Sequence, residues 1–251
     1  MSKIALVVNT ISSNKDIWDM FFDQIDRHIS DSFFSSKYIF VDDSGDPLPD
    51  GYKVINYDTT KKYRDQFLSG IKHVEEEYCI YISEDYILYE DVKEDIILDY
   101  QKILDTVPSF SFIRFLKGGI ANIHYPNFLC RKDLFEMHNS IPYFYTNQAA
   151  LWRTRDLEKI HQHGPNLHIA NKDYENSFEW QATKTCQELD IRGAFCYHGE
   201  SKRGEYHYDC HVFPHIATAL VKGKWNLKEY AEELSPLIKK YSIDVNERGT
   251  H

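Results

Sequence analysis

The sequence predicts an α/β protein: a mixed, mostly parallel sheet flanked by helices, in one continuous domain. Three observations predict it. Short, wholly apolar runs such as Ile4 to Val8 and Tyr78 to Ile82 read as strands buried on both faces. They alternate with stripes of apolar residues at helical spacing, as parallel strands with crossover helices require. Two strands stop at adjacent acidic residues, Asp42-Asp43 and Glu84-Asp85, and open α/β sheets place ligands beyond the carboxyl ends of their strands.

The elements follow in order. After the first strand, Ser13 or Asn14 is a candidate cap for a helix whose face carries Ile17, Phe21, Ile25 and Ile29. Tyr38 to Val41 is a second strand and Lys53 to Tyr57 a third. A stripe of Tyr63, Phe67, Ile71 and Val74 predicts the next helix. The strand Tyr78 to Ile82 follows, then a helix lined by Val92, Ile96, Tyr100 and Ile103. Phe110 to Phe115 alternates with period two, so it predicts a half-exposed strand, broken at Lys117-Gly118-Gly119. Helices are expected over 154–163, ended by Gly164-Pro165, over 173–189, and over 227–241. Asp133 and Asp156 read as helix caps. Between the strand at 192–197 and the last helix, residues 198–211 form a polar loop rich in His and Tyr. With no repeat or linker, the chain divides by role at about 1–115, 116–225 and 226–251.

Composition narrows the function. The 251 residues carry a net charge of −10 and no basic run, which argues against nucleic acid as a partner. Five scattered cysteines without a CxxC argue against a disulfide framework or a zinc knuckle. The N-terminal apolar run is too short for a signal peptide, and no window is long enough to span a membrane. The expectation is a cytoplasmic protein.

The chemistry-bearing residues cluster at strand ends and in the His-rich loop. Carboxylates ending a buried strand face a desolvation cost that a cation offsets. Mg²⁺ takes one or two carboxylates plus phosphate oxygens, so Glu84 and Asp85 are candidates for a divalent ion and a diphosphate. Asp42 and Asp43 are candidates to accept hydrogen bonds from a ribose or a base. Both pairs also read as solvated turns, and the pattern alone leaves that choice open. His198, His207 and His211 are candidate metal ligands alongside Asp85, and Lys202 and Arg203 candidate partners for phosphates. Glu179, between Phe178 and Trp180, is a candidate base with a raised pKa, or an ordinary surface Glu.

These residues in this order resemble the GT-A glycosyltransferases, which act on nucleotide-diphosphate sugars. The resemblance lies in the N-terminal strand, Val41-Asp42-Asp43-Ser44-Gly45, and Ile82-Ser83-Glu84-Asp85, where the family usually has Asp-x-Asp. Here Ser83 replaces the first Asp. Asn147-Gln148-Ala149-Ala150-Leu151-Trp152-Arg153, followed by Phe178-Glu179-Trp180, is similar to a subset of bacterial and phage-type enzymes, with Asn176 where Trp is expected. The resemblance implies transfer of a sugar from a UDP- or GDP-linked donor to a glycan or small-molecule acceptor, in surface glycan synthesis, with Mn²⁺ or Mg²⁺. It implies Glu179 as the acceptor-activating base. It places Asn9, Asp42, Asp43, Arg64, Glu84, Asp85, Gln148, Lys202 and Arg203 at the donor, and Asp85 with a loop His at the metal. Two other readings stay open. One is a silent nucleotide-sugar or glycan-binding module, which Ser83 favours. The other is a sugar-phosphate nucleotidyltransferase, which the lack of Gly, Lys or Arg in Asn9 to Asn14 disfavours.

Overall fold

The computed structural model describes residues 3–42, 45–119, 124–167 and 177–251. Its centre is an eight-stranded sheet built from β1 (Ile4–Asn9), β2 (Ser36–Asp42), β3 (Tyr52–Tyr57), β4 (Tyr78–Ser83), β6 (Phe112–Arg114), β7 (Leu134–Met137), β8 (Ala150–Arg153) and β9 (Gly193–Cys196). The strand order is β3-β2-β1-β4-β8-β6-β9-β7. All but β8 and β7 run in one direction. The mostly parallel α/β fold is therefore present.

The apolar runs follow from burial on both faces. Ile4, Leu6 and Val8 of β1 join one core, with α1 (Trp18–His28), α3 (Glu94–Thr106) and α6 (Leu227–Lys240). Ala5 and Val7 join the other, with α2 (Tyr63–Ile71), α4 (Thr154–His163) and α5 (Phe178–Glu188). Tyr78, Ile80 and Ile82 of β4 divide from Cys79 and Tyr81 in the same way. No helix among the described residues is long and apolar enough to cross a membrane.

Five expectations are corrected. Phe112–Arg114 is buried on both sides: Phe112 and Ile113 enter opposite cores, and Ser111 and Arg114 are themselves buried and hydrogen-bonded. The buried stripe of α3 runs through Ile97, Tyr100, Ile103 and Leu104, not Ile96. Asp133 caps no helix. It precedes β7 and is paired with Arg131 at 2.8 Å. Residues 12–17 form a 3₁₀ turn without a side-chain cap from Ser13 or Asn14. The helix expected over 173–189 starts at Phe178 among the described residues, capped by the Ser177 hydroxyl, which accepts from Trp180 N.

Packing at the β6–β9 pair is close. A Cβ on Gly193 would sit 2.2 Å from the Phe112 ring. Gly193→Ala is therefore expected to cost about 1–3 kcal/mol by overpacking. That lowers the unfolding midpoint by roughly 3–10 °C, readable by calorimetry.

Register places the functional end. Asn9 aligns with Phe40 on one side and Ser83 on the other. Ala150 of antiparallel β8 aligns with both Tyr81 and Arg114. Asn9, Asp42, the segment after Ser83, Arg114 and the residues just before Ala150 thus share one edge of the sheet.

Candidate active site

Two cavities open along this edge. The first, about 470 Å³, is lined by Asn9, Asn14, Tyr57, Lys61, Tyr63, Ser83, Glu84 and Asp85, among others. Glu84 is 6% exposed and accepts a hydrogen bond from Asn14 Nδ2. Burial raises its pKa, opposed by the Asn14 bond. The half-buried Asp85 carboxyl is pushed up to about 8, first by burial and then by the charge of Glu84. No salt bridge or side-chain hydrogen bond among the described residues offsets it. Lys61 is the one cation among the described residues lining this cavity.

The second cavity, about 250 Å³, is lined by Arg114, Tyr125, Met137, Tyr143, Gln148, Glu179, Tyr206 and His207, among others. Glu179 stands in the first turn of α5, and its Oε1 accepts from the Asn147 backbone N–H at 2.7 Å. Burial raises its pKa, opposed by that N–H and by the Arg114 charge. The phenol of Tyr86 is pushed well above its ordinary value by burial, then by the charges of Asp85 and Glu179. The charges of both carboxylates therefore reach the same buried phenol. Tyr63 lines the first cavity and packs edge-on against Phe178, the neighbour of Glu179, at 4.9 Å.

The wall between them comes from the chain's second half. β12 (His215–Ile216) pairs with β5 (Ile87–Leu88), just after Asp85. This brings Ala217 O to the Gln148 amide at 3.1 Å and Ala219 N to Asp85 O at 3.2 Å.

The other candidates separate. Asp42 ends β2 with its carboxylate accepting from Ser12 N at 2.6 Å and from the Ser12 hydroxyl. Asp43 lies outside the described residues. Arg64 pairs with Asp65 and donates to Gly164 O at 3.1 Å, and it does not line the first cavity. Lys202 is exposed, and Arg203 is committed to Asp209 and Glu233. Those two form β10 (Lys202–Arg203), which pairs with β11 (His207–Tyr208).

The three histidines do not gather at Asp85. His207 lines the Glu179 cavity, bonded to the Tyr230 hydroxyl at 2.7 Å. Its pKa falls to about 4, chiefly through burial. His198 and His211 face each other at 5.1 Å, with the His198 ring 3.4 Å from Glu200. Among the described residues no group of three His, Cys, Asp or Glu is placed to hold a metal ion.

No protein-family model and no curated protein matches this sequence. Solved structures do match its fold. Residues 1–349 of S. aureus TarS in complex with UDP superpose with a TM-score of 0.51 at 13% identity, covering 98% of this chain and 68% of that one. A crystal structure of TarS 1–349 gives 0.50 at 14%, covering 100% and 67%. A longer TarS structure gives 0.50 at 15%, covering 100% of this chain and 41% of that one. The fold is of the GT-A type.

Within this GT-A fold, sequence reasoning missed two residues that line the cavities, Lys61 and Arg114. Lys61 lies in a polar segment without a motif. Arg114 sits in a run read as a half-exposed strand. A burial-aware signal exists for the last: its apolar neighbours Phe112, Ile113 and Phe115 fill both faces, so a cation between them must be inside.

Proposed function

We propose that the chain transfers a glycosyl group from a nucleotide-diphosphate sugar in the Asp85 cavity to an acceptor hydroxyl in the Glu179 cavity. The observation that carries this is the pair of adjoining cavities at the carboxyl edge of a GT-A sheet, with Asp85 in one and Glu179 in the other. The TarS structure in complex with UDP supports a nucleotide in the first cavity. In this reading residues 1–115 supply most of the donor cavity, residues 116–225 most of the acceptor cavity, and residues 226–251 close the fold.

The chemistry follows from the residues. Asn9, Tyr57 and Lys61 hold the nucleoside diphosphate. The bond between the anomeric carbon and the diphosphate oxygen breaks as the acceptor oxygen bonds that carbon. Glu179 takes the acceptor proton, and the configuration inverts. Its raised pKa makes it a stronger base than an ordinary carboxylate. Asp85, unpaired and pushed towards neutrality by burial, has the character of a carboxylate awaiting a cation. It is the group that would hold a divalent ion together with phosphate oxygens. When bound, that ion offsets the diphosphate charge. Surface-glycan synthesis is the role in which we place this transfer.

Thermal unfolding with UDP, GDP, CMP and dTDP, with and without Mn²⁺, tests the donor site. The cognate nucleotide at about 100 times its dissociation constant is expected to add roughly 2.7 kcal/mol, or roughly 5–10 °C. No shift with any nucleotide sinks the reading. Nucleotide binding without turnover of any sugar donor identifies a binding module instead.

A further inference from the structure

We propose that the Glu179 cavity binds an oxyanion, carboxylate or phosphate, through the Nε–Nη2 edge of Arg114, so that the acceptor is an acid. The anion site stands on its own geometry. Its place in the reaction rests on the function proposed above.

Arg114 ends β6, is 5% exposed, and lines the cavity. A buried cation is costly unless an anion or a full set of acceptors compensates it. Here the compensation is one-sided. Nη1 donates to Tyr143 O at 3.2 Å and to the Thr146 hydroxyl at 3.1 Å. Among the described residues Nη2 meets only the Met137 thioether, at 2.6 Å, and a thioether is a weak acceptor. Nε has no hydrogen-bond partner among the described residues. No salt bridge reaches the guanidinium among the described residues. The edge left without a strong acceptor is the one whose two parallel N–H groups fit a carboxylate or phosphate. Burial pulls the guanidinium down to about 10, opposed by Tyr125 and Glu179, so it remains a cation at neutral pH.

The stopper on this edge can move. Met137 lines the same cavity, and its unbranched chain adapts readily. Gln148 Oε1, buried without a partner among the described residues, is an acceptor and so suits a hydroxyl of the same molecule rather than its acid group. Charge balance fits as well. When Glu179 takes the acceptor proton it becomes neutral, and Arg114 is then free to balance the acid.

The test uses protein with ¹³C-methyl-labelled methionine and follows the Met137 methyl resonance. Glycerol 3-phosphate is compared with glycerol, and glucuronate with glucose. The expected result is a saturable Met137 shift with an acid and none with its neutral partner. The phosphate and carboxylate arms identify which oxyanion binds better. Arg114→Gln is expected to weaken the acid by about ten- to a hundredfold, with UDP or GDP binding unchanged. If that variant does not fold, Met137→Leu replaces it. Leu cannot accept from Nη2, so acid binding measured by calorimetry should tighten severalfold. Equal responses to acid and neutral probes, or none to either, overturn the proposal. So does a Met137→Leu affinity that does not rise. Acid binding without any nucleotide binding would leave this site standing and sink the transferase reading. Nucleotide binding without acid binding would do the reverse.

Discussion

Glu179→Gln is expected to lower glycosyl transfer by about 10²- to 10⁴-fold, the range for loss of a positioned base, with nucleotide binding intact. Gln keeps the shape and keeps an oxygen to accept the Asn147 N–H, so the first turn of α5 should hold. The pH dependence has a definite sign. Burial raises the Glu179 pKa above 4.5. The base is lost when it is protonated, so the rate should fall as pH falls through this raised value. The acid limb then lies above that of an ordinary carboxylate. Stability moves the other way. The folded state holds the Glu179 proton more tightly than the unfolded chain. That contribution is fully present below pH 4.5 and lost as pH rises through the folded value. Gln never ionises, so the variant should unfold at a higher temperature than the parent at pH 8. Wild-type kcat in Glu179→Gln would remove this residue from the chemistry.

The buried sheet was legible because parallel strands covered on both sides have only apolar positions to offer. The runs at β1 and β4 divide their side chains between two cores and leave no polar alternation. The same physics hid Arg114. A half-exposed strand leaves one face to water, and at β6 the Arg114 side chain instead meets Tyr143, Thr146 and Met137. Glu84 and Asp85 were legible as a strand end. Their environment was not, since Asn14 comes from the turn after β1 and Ala219 from the far end of the chain. The histidines show the limit of spacing arguments. His198, His207 and His211 lie in one loop, yet the β10–β11 hairpin sends His207 inward to Tyr230 while His198 and His211 face each other elsewhere.

Asp85→Asn separates binding from folding at the other cavity. In the empty protein the Asp85 carboxyl costs stability, because it is enclosed beside the buried carboxyl of Glu84 with no cation paired to it among the described residues. With its pKa raised to about 8, the folded state must hold at neutral pH a proton that the unfolded chain does not, and the amide removes that cost at nearly constant volume, so the empty variant should unfold no lower than the parent. The donor complex should respond oppositely. An amide has no charge to offer a divalent ion, and the diphosphate loses the means of approaching Glu84 without repulsion. The roughly 2.7 kcal/mol expected from saturating nucleotide with Mn²⁺ should therefore disappear, while any metal-free binding through Lys61 persists. The two effects have different origins and are read in the same thermal scans. A variant that loses stability and nucleotide binding together would mean that Asp85 is a structural residue. One that keeps the full Mn²⁺-dependent shift would move the cation away from this strand end. Loss of the shift in a protein as stable as the parent is the outcome that the unpaired carboxyl leads us to expect.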